Sequence, residues 1–293
     1  MSGNDTGRWT YDRWPSRPAA AAPTTAKERI FLLDREQLTS HLRSDDEYSI
    51  GIQIIDSSEL AWKTNRPQVT DFFDPHQTKV ARSIIDSIPE VAVLMFGGYR
   101  KAERNRLVLY PQMYLVESIS NPVSVLEAKG NFKFQEISHR DCLGSILGTG
   151  IKRQKVGDLI LTETGCQAVV AAELTDFLLS NWNQIHQTPV HVEEIDEGQI
   201  NVEPERVKEI RATVPSMRLD AVASSGFGTS RTRMTRDIKA ERLKVNWKAI
   251  KNPSHAVEEG DIISIRGRGR VVVEEVKGKT RKGRLSLLLK RLM

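Results

Sequence analysis

The sequence predicts an α+β protein: a central plait-like α/β region followed by a small αα-βββ unit at the C-terminal end. Three observations carry this. Short apolar runs of strand length alternate with amphipathic, helix-length segments over residues 76–198. A second stretch of about 60 residues near the end orders two helix patterns before three strand patterns. A chain of 293 residues with 39% hydrophobic and 28% charged residues has material for about two cores.

Residues 1–26 ("MSGNDTGRWTYDRWPSRPAAAAPTTA") lack hydrophobic periodicity and read as a flexible tail without the apolar stretch of a secretory signal. Residues 27–75 read as an N-terminal helical region: "AKERIFLLDREQLTSHLRS" as a helix, then "SELAWKTNRPQVTDFFDP" as turns and a connector, because it holds two prolines. Asp74 is a candidate N-cap and Pro75 fits the first turn of the helix through "HQTKVARSIIDSI".

The plait region follows. "VAVLMF", "LVLYP", "PVSVLEAKG" and "FKFQEIS" read as strands. "SHRDCLGSIL" reads as a helix capped at Ser138, with Asp141 in its first turn and "GTG" (148–150) as its stop. "GDLILT" and "CQAVVAA" are strands, "ELTDFLLSNWNQI" a helix and "PVHVEEI" a strand. Residues 199–216 form a connector, with "RVKEIRATV" as a strand leading into the last unit, 217–293. That unit reads as helix "SMRLDAVASSG" with Gly226 as a left-handed cap, a "GFGT" turn, and a helix opened by Ser230. Strands "LKVNW", "DIISIRG" and "RVVVEEV" follow, and Leu285, Leu287, Leu288 and Leu289 close the unit as a final strand.

Charge is unevenly placed. The whole chain carries +5, but residues 217–293 hold 19 Lys and Arg against 8 Asp and Glu. A basic unit on an acidic body points to an anionic partner, RNA above all. At about 100° per residue, Met234 and Ile238 share one helix face, and Arg233, Arg236 and Lys239 lie on the other. Arg231 sits in the first turn, against the helix dipole. Lys244, Lys248, Lys251, Arg266, Arg268 and Arg270 add to the same unit.

At these residues the sequence resembles a known module. "MRLDAV…GFGTSRTRM…IKAERLKVNWK…VEEGDIISIRGRGR" is similar to the S-four domain, an RNA-binding fold whose two helices form an αL motif that sits on structured RNA. The matching positions are Arg218, Leu219, Asp220, Ser230, Arg231, Val245, Asn246, Gly260 and Asp261. Three departures stand out: Asp237 at a usually apolar position, Glu241 where Gly is usual, and Trp247 after Asn246 where many members have Gly. The first two imply a less sharp end to the second helix.

Together with "TDFFDP", "FGGYRKAERNRLVLYP", "SHRDCLGSILGTGIKRQKVGDLI" and "EIRATVPSMRLDA", the sequence resembles the YlmH-type proteins, including the photosystem II S-four domain proteins of cyanobacteria and plastids. The resemblance spans about 70–290. It implies a ferredoxin- or RRM-like RNA-binding plait over 76–198 before the S-four domain. It also implies rRNA and tRNA as partners on the large ribosomal subunit during rescue of stalled peptidyl-tRNA, in the cytoplasm or a plastid stroma. No photosystem role follows from any residue.

A second RNA contact is expected in the plait. Tyr99, Arg100, Lys101, Arg104 and Arg106 follow Gly97 and Gly98 in one turn, and His139, Arg140, Lys152, Arg153 and Lys155 flank the "HRDCLGSIL" helix. Glycine admits a phosphate close to the backbone, and a Tyr ring can stack on a base.

Chemistry is not expected. "HRD" lacks every companion motif of a kinase, "GTG" is not followed by G-K-[ST], and the six histidines sit in no ligand cluster, so no cofactor or metal is expected. Cys142 and Cys166 lack C-x-x-C spacing and read as buried spectators. An RNA-modifying enzyme with the S-four domain as its targeting module is the alternative, and a membrane-surface role of the basic tail a third. No apolar run reaches the length of a membrane span, and a monomer is expected.

Overall fold

The computed structural model describes residues 33–132, 137–200, 207–281 and 283–292. The tail reading of 1–26 lies outside them, as does most of "FKFQEIS". The chain divides into two units, one up to residue 202 and one from 203.

The first unit begins with α1 (Arg35–Thr39) and α2 (Asp45–Thr64). Ser44 caps α2 by accepting from the Glu47 N–H, and Asp45, Asp46 and Glu47 complement the helix dipole. Asn65 ends it in the left-handed conformation, φ 50°. β1 (Gln68–Phe73) follows at once. The stretch read as turns and connector is therefore the end of α2 plus a strand. Its prolines misled because each sits at an element boundary, where the missing N–H costs nothing. Asp74 and Gln77 form a capping box on α3 (Pro75–Ile85), with Pro75 in its first turn.

β2 (Val91–Phe96) and β3 (Asn105–Pro111) join β1 in an antiparallel sheet of order β1-β3-β2. Ile54 and Ile55 of α2 and Ile84 of α3 pack with Leu107 and Leu109 of β3. "VAVLMF" and "LVLYP" thus belong to a separate small sheet, and the plait occupies only the later part of 76–198.

The plait runs through β4 (Val123–Gly130), α4 (His139–Gly148), β5 (Val156–Thr162), β6 (Gly165–Ala171), α5 (Thr175–Asn181), β7 (Gln184–Ile185) and β8 (Thr188–Ile195). The antiparallel order is β5-β6-β4-β8-β7. Without the two-residue β7, this is a ferredoxin-like β-α-β-β-α-β arrangement. β6 is buried at all seven positions, as a central strand must be. Ser138 and Asp141 form a capping box on α4, and Gly150 follows it at φ 94°. α5 is shorter than its pattern suggested. The chain leaves the helix so that Trp182, 1% exposed, can enter the core and donate its indole N–H to Ser145 Oγ at 2.8 Å. Cys142 and Cys166 are free and buried in this core.

The second unit holds β9 (Val207–Val214), α6 (Leu219–Gly226), α7 (Arg231–Lys239), β10 (Leu243–Val245), β11 (Lys248–Ala249), β12 (Ile262–Ile265), β13 (Gly269–Lys279) and β14 (Leu285–Leu292). They form one sheet of order β11-β10-β12-β13-β14-β9. The unit's four expected strands are six: "RVKEIRATV", expected as a strand of the connector, pairs with β14 along its whole length as an edge strand of this sheet, and Lys248–Ala249 adds a short hairpin strand. Leu219, Val222, Met234 and Ile238 of the helices share a core with Val245, Ile263, Val271 and Leu289 of the sheet.

Gly226 and the end of α7 differ from expectation. A Cβ on Gly226 would lie 2.7 Å from Val271 Cγ1, so this glycine serves close helix–sheet packing, and the left-handed residue is Gly228 at φ 61°. α7 ends sharply: the Glu241 N–H donates to Ile238 O and the Arg242 N–H to Asp237 O, a Schellman pattern with Glu241 at φ 55°. Asp237 pairs with Arg242 at 3.4 Å and Glu241 with Lys251 at 3.0 Å, so these carboxylates hold the helix end rather than trimming the basic row.

Candidate nucleic-acid interface

α7 starts where Ser230 Oγ accepts from the Arg233 N–H at 3.3 Å, so Ser230 acts as the helix cap. Met234 and Ile238 are fully buried, which turns Arg233, Arg236 and Lys239 outward. All three are exposed and form no ion pair with any other described residue. They present one helical row of uncommitted cations, the arrangement that phosphates bind.

Arg231 is not in that row. It reaches back to α6, where its guanidinium meets Asp220 Oδ2 at 2.8 Å. Arg218 donates to both oxygens of the same carboxylate at 3.1 Å. The Asp220 side chain is 6% exposed, against 42% and 49% for Arg218 and Arg231. Burial opposes its ionisation, but the hydrogen bonds from Arg218 and Arg231 outweigh burial and hold its carboxyl below the usual range. A guanidinium has five N–H donors, and Asp220 occupies only some of them. The clamp therefore orients two half-exposed arginines and leaves donors free for a ligand.

The remaining cations lie on the strands and turns of the sheet. Lys244 is exposed between buried Leu243 and Val245, so strand alternation puts it on the sheet face opposite the helices. It pairs in register with Ser264, and Ser264 with Arg270. Lys248 follows the β10–β11 turn opposite buried Val245, so it points to the helix side of the sheet, and Arg266 and Arg268 flank Gly267 in the β12–β13 turn. The single basic surface read from the sequence is thus two, one on the helix side and one on the sheet side. Asn246, expected to touch RNA, is a turn residue. Its side-chain amide donates to Asp261 Oδ1 at 2.7 Å and accepts from the Ile262 N–H at 3.0 Å.

The expected second contact is largely a set of internal struts. Tyr99 donates to Asp158 Oδ2 at 2.9 Å, and Asp158 also accepts from the backbone of Glu103 and Arg104. Arg104 donates to Phe72 O at 2.8 Å and Val156 O at 3.2 Å; Arg153 donates to Val156 O and Gly157 O. Burial lowers the pKa of both arginines, with Arg153 pushed down to about 10 by burial and by its neighbour Arg104. Tyr99, Arg104 and Arg153 tie the three-stranded sheet to the plait. Arg100, Lys101, Arg140 and Lys152 do remain exposed. Arg140 lines a cleft of about 560 Å³ with Asp141, Ser145, Trp182 and His186, where His186 Nε2 lies 2.9 Å from Asp141.

Arg106 is the deepest strut, 4% exposed, and donates to Thr70 O, Pro122 O and both oxygens of Glu173. Burial would raise Glu173, but hydrogen bonds from Arg106 and Lys155 prevail and bring its carboxyl from 4.5 to about 2. A carboxylate depressed in the folded state stabilises above its unfolded pKa, and that contribution is lost as pH falls through the folded value. Glu173→Gln should therefore lower the melting temperature at pH 7, and the gap to wild type should close between about pH 4.5 and 2. Melting curves across that range check it; a gap independent of pH would contradict the assignment.

Among the described residues, no three His, Cys, Asp or Glu side chains come together as a metal site, and no helix is long and apolar enough to cross a membrane.

Comparison with known proteins agrees with this layout. Three family models match in chain order: "YlmH, N-terminal" over residues 52–114, "Putative RNA-binding domain in YlmH" over 120–199, and "S4 domain" over 217–263. The first two part between β3 and β4, where the sheets do. "Ribosome-associated protein quality control protein P2" of Bacillus subtilis (strain 168) is 34% identical over 251 residues, 86% of this chain and 97% of that protein. "Small ribosomal subunit protein uS4" of Desulfotalea psychrophila is 37% identical over 70 residues, 22% of this chain and 33% of that one. The solved structure of "Cell division protein ylmH from Streptococcus pneumoniae" aligns with a TM-score of 0.46 at 23% identity, over 54% of this chain and 97% of that one. Matched by a relative of this identity over nearly that protein's whole length, with its domain models in order, the chain belongs to the YlmH family.

Proposed function

We propose that this protein is a non-enzymatic RNA-binding protein that acts on the ribosome, gripping rRNA and tRNA at the large subunit in quality control of stalled translation. The observation that carries the reading is the row Arg233, Arg236 and Lys239, exposed and uncommitted on α7, beside the Arg218–Asp220–Arg231 clamp. Counterion release along such a row supplies affinity without reading sequence. The fixed geometry of the helix pair selects folded RNA by shape. The B. subtilis relative, named for ribosome-associated quality control, supports the choice of partner. The place of action follows from the partner: the cytoplasm, or the plastid stroma in a plant. The protein acts as a monomer.

The rival reading, an RNA-modifying enzyme, would need a reactive set in the plait. The α4 cleft brings Ser145, His186 and Asp141 near one another. Ser145 Oγ, however, donates to Cys142 O and accepts from Trp182, while Asp141 holds the Ser138 cap. These groups are occupied in holding the fold.

Crosslinking in cells followed by sequencing of the bound RNA tests the proposal. Reads concentrated on large-subunit rRNA and tRNA are expected. Loss of a single modified nucleotide on gene deletion would instead favour the enzyme.

The clamp gives a sharper expectation. Asp220→Asn removes a negative charge from a basic surface, which on charge alone should strengthen RNA binding. Because Asp220 positions Arg218 and Arg231, affinity should fall several-fold instead, as measured by fluorescence anisotropy with a labelled structured RNA.

A further inference from the structure

The β10–β11 turn carries an unexplained expense. Its two central residues, Asn246 and Trp247, lie at φ 48° and 67°, and Val245 pairs with Lys248 across it, a type I′ hairpin turn. Asn suits the first position. The second favours Gly, and a bulky side chain there is a conformational outlier. Nothing in the core asks for the indole: Trp247 is partly exposed, and the buried residues of this unit do not include it. Its ring instead meets the Arg270 guanidinium, 5.8 Å from the ring centroid. Arg270 shares a row across the sheet with Ser264 and Lys244, on the face turned away from the helices.

The geometry points to a second RNA site on this sheet face: Trp247 is a stacking platform for one unpaired nucleobase, with Lys244 and Arg270 beside it for the flanking phosphates. An aromatic ring amid cations on an open sheet is how single-stranded RNA is held: bases stack on the ring and phosphates on the charges. The left-handed turn is retained because it projects the ring over the sheet, a strain kept for binding. The inference rests on the RNA-binding reading above and extends it. The helix side takes folded RNA, and the sheet side takes a base that has left its helix.

The test uses the full chain and two labelled probes, an RNA hairpin with a loop of six adenines and the same stem closed as a blunt duplex. Trp247→Gly relieves the backbone while deleting the ring. Its melting temperature should equal or exceed that of wild type, its affinity for the looped hairpin should fall about tenfold, and its affinity for the duplex should change less than twofold. Trp247→Phe should recover part of the hairpin affinity. Unchanged hairpin binding by Trp247→Gly would overturn the platform while leaving the helix-side reading intact. A lowered melting temperature with equal loss on both probes would make the ring a structural element and overturn it too. If wild type bound neither probe, the RNA-binding reading would fall and this site with it.

Discussion

Replacing Arg233, Arg236 and Lys239 together with Ala should weaken binding to structured RNA by about a hundredfold near 0.15 M salt. Each cation on a phosphate contributes about 0.7–0.9 to the slope of log K against log salt, so losing three flattens that slope by about 2–3. Accumulated over the ~0.8 decades between 1 M and 0.15 M salt, this gives roughly two orders of magnitude. The fold should be unaffected, because Met234 and Ile238 anchor α7 from its other face and Ser230 caps it. Removing Arg233 from the first turn even relieves an unfavourable dipole contact. Anisotropy titrations at several salt concentrations, with circular dichroism as the folding control, measure both. An unchanged slope would show that the row touches no phosphate.

Arg106→Ala should produce the opposite pattern, a damaged fold with the helix row untouched. Arg106 serves carbonyls of Thr70 and Pro122 and both oxygens of Glu173 from a position 4% exposed. Truncation strands those acceptors in the interior, each costing about 1–3 kcal/mol if left unmet. Lys155 still holds Glu173 at 2.9 Å, and water can enter the Glu173 side, so the expected loss is about 2–4 kcal/mol. Arg106→Lys should recover little, since one ammonium cannot reach two carbonyls and a bidentate carboxylate at once. Urea unfolding reads this as a lower midpoint. A loss under about 1 kcal/mol would mean the strut is replaceable.

Arg106 also shows where the sequence stopped being legible. "GGYRKAERNR" looks like a basic turn, and nothing local distinguishes Arg100 from Arg104 or Arg106. Their partners are Phe72, Val156, Pro122 and Glu173, which lie 16 to 67 residues away in the chain. A cation's role as probe or strut depends on which carbonyls the fold delivers to it. By contrast, α7 was readable because helical period alone separates Met234 and Ile238 from Arg233, Arg236 and Lys239. The S-four helices and the plait strands were legible for the same local reason. Two things were not: the division of the early strands into their own sheet, and β9 as an edge strand, since both depend on pairing over distance. Trp247 is a local signal in the sequence. An Asn-Trp pair stands in a two-residue turn where Asn-Gly is the unstrained choice.

The most direct test of the account is the salt dependence of the intact chain itself on a structured ribosomal RNA fragment. A row of three cations beside the Arg218–Arg231 clamp predicts a steep plot of log K against log salt, with a slope of about −3 or steeper. A flat plot would contradict the claim that the helix face of the C-terminal unit holds RNA through its phosphates.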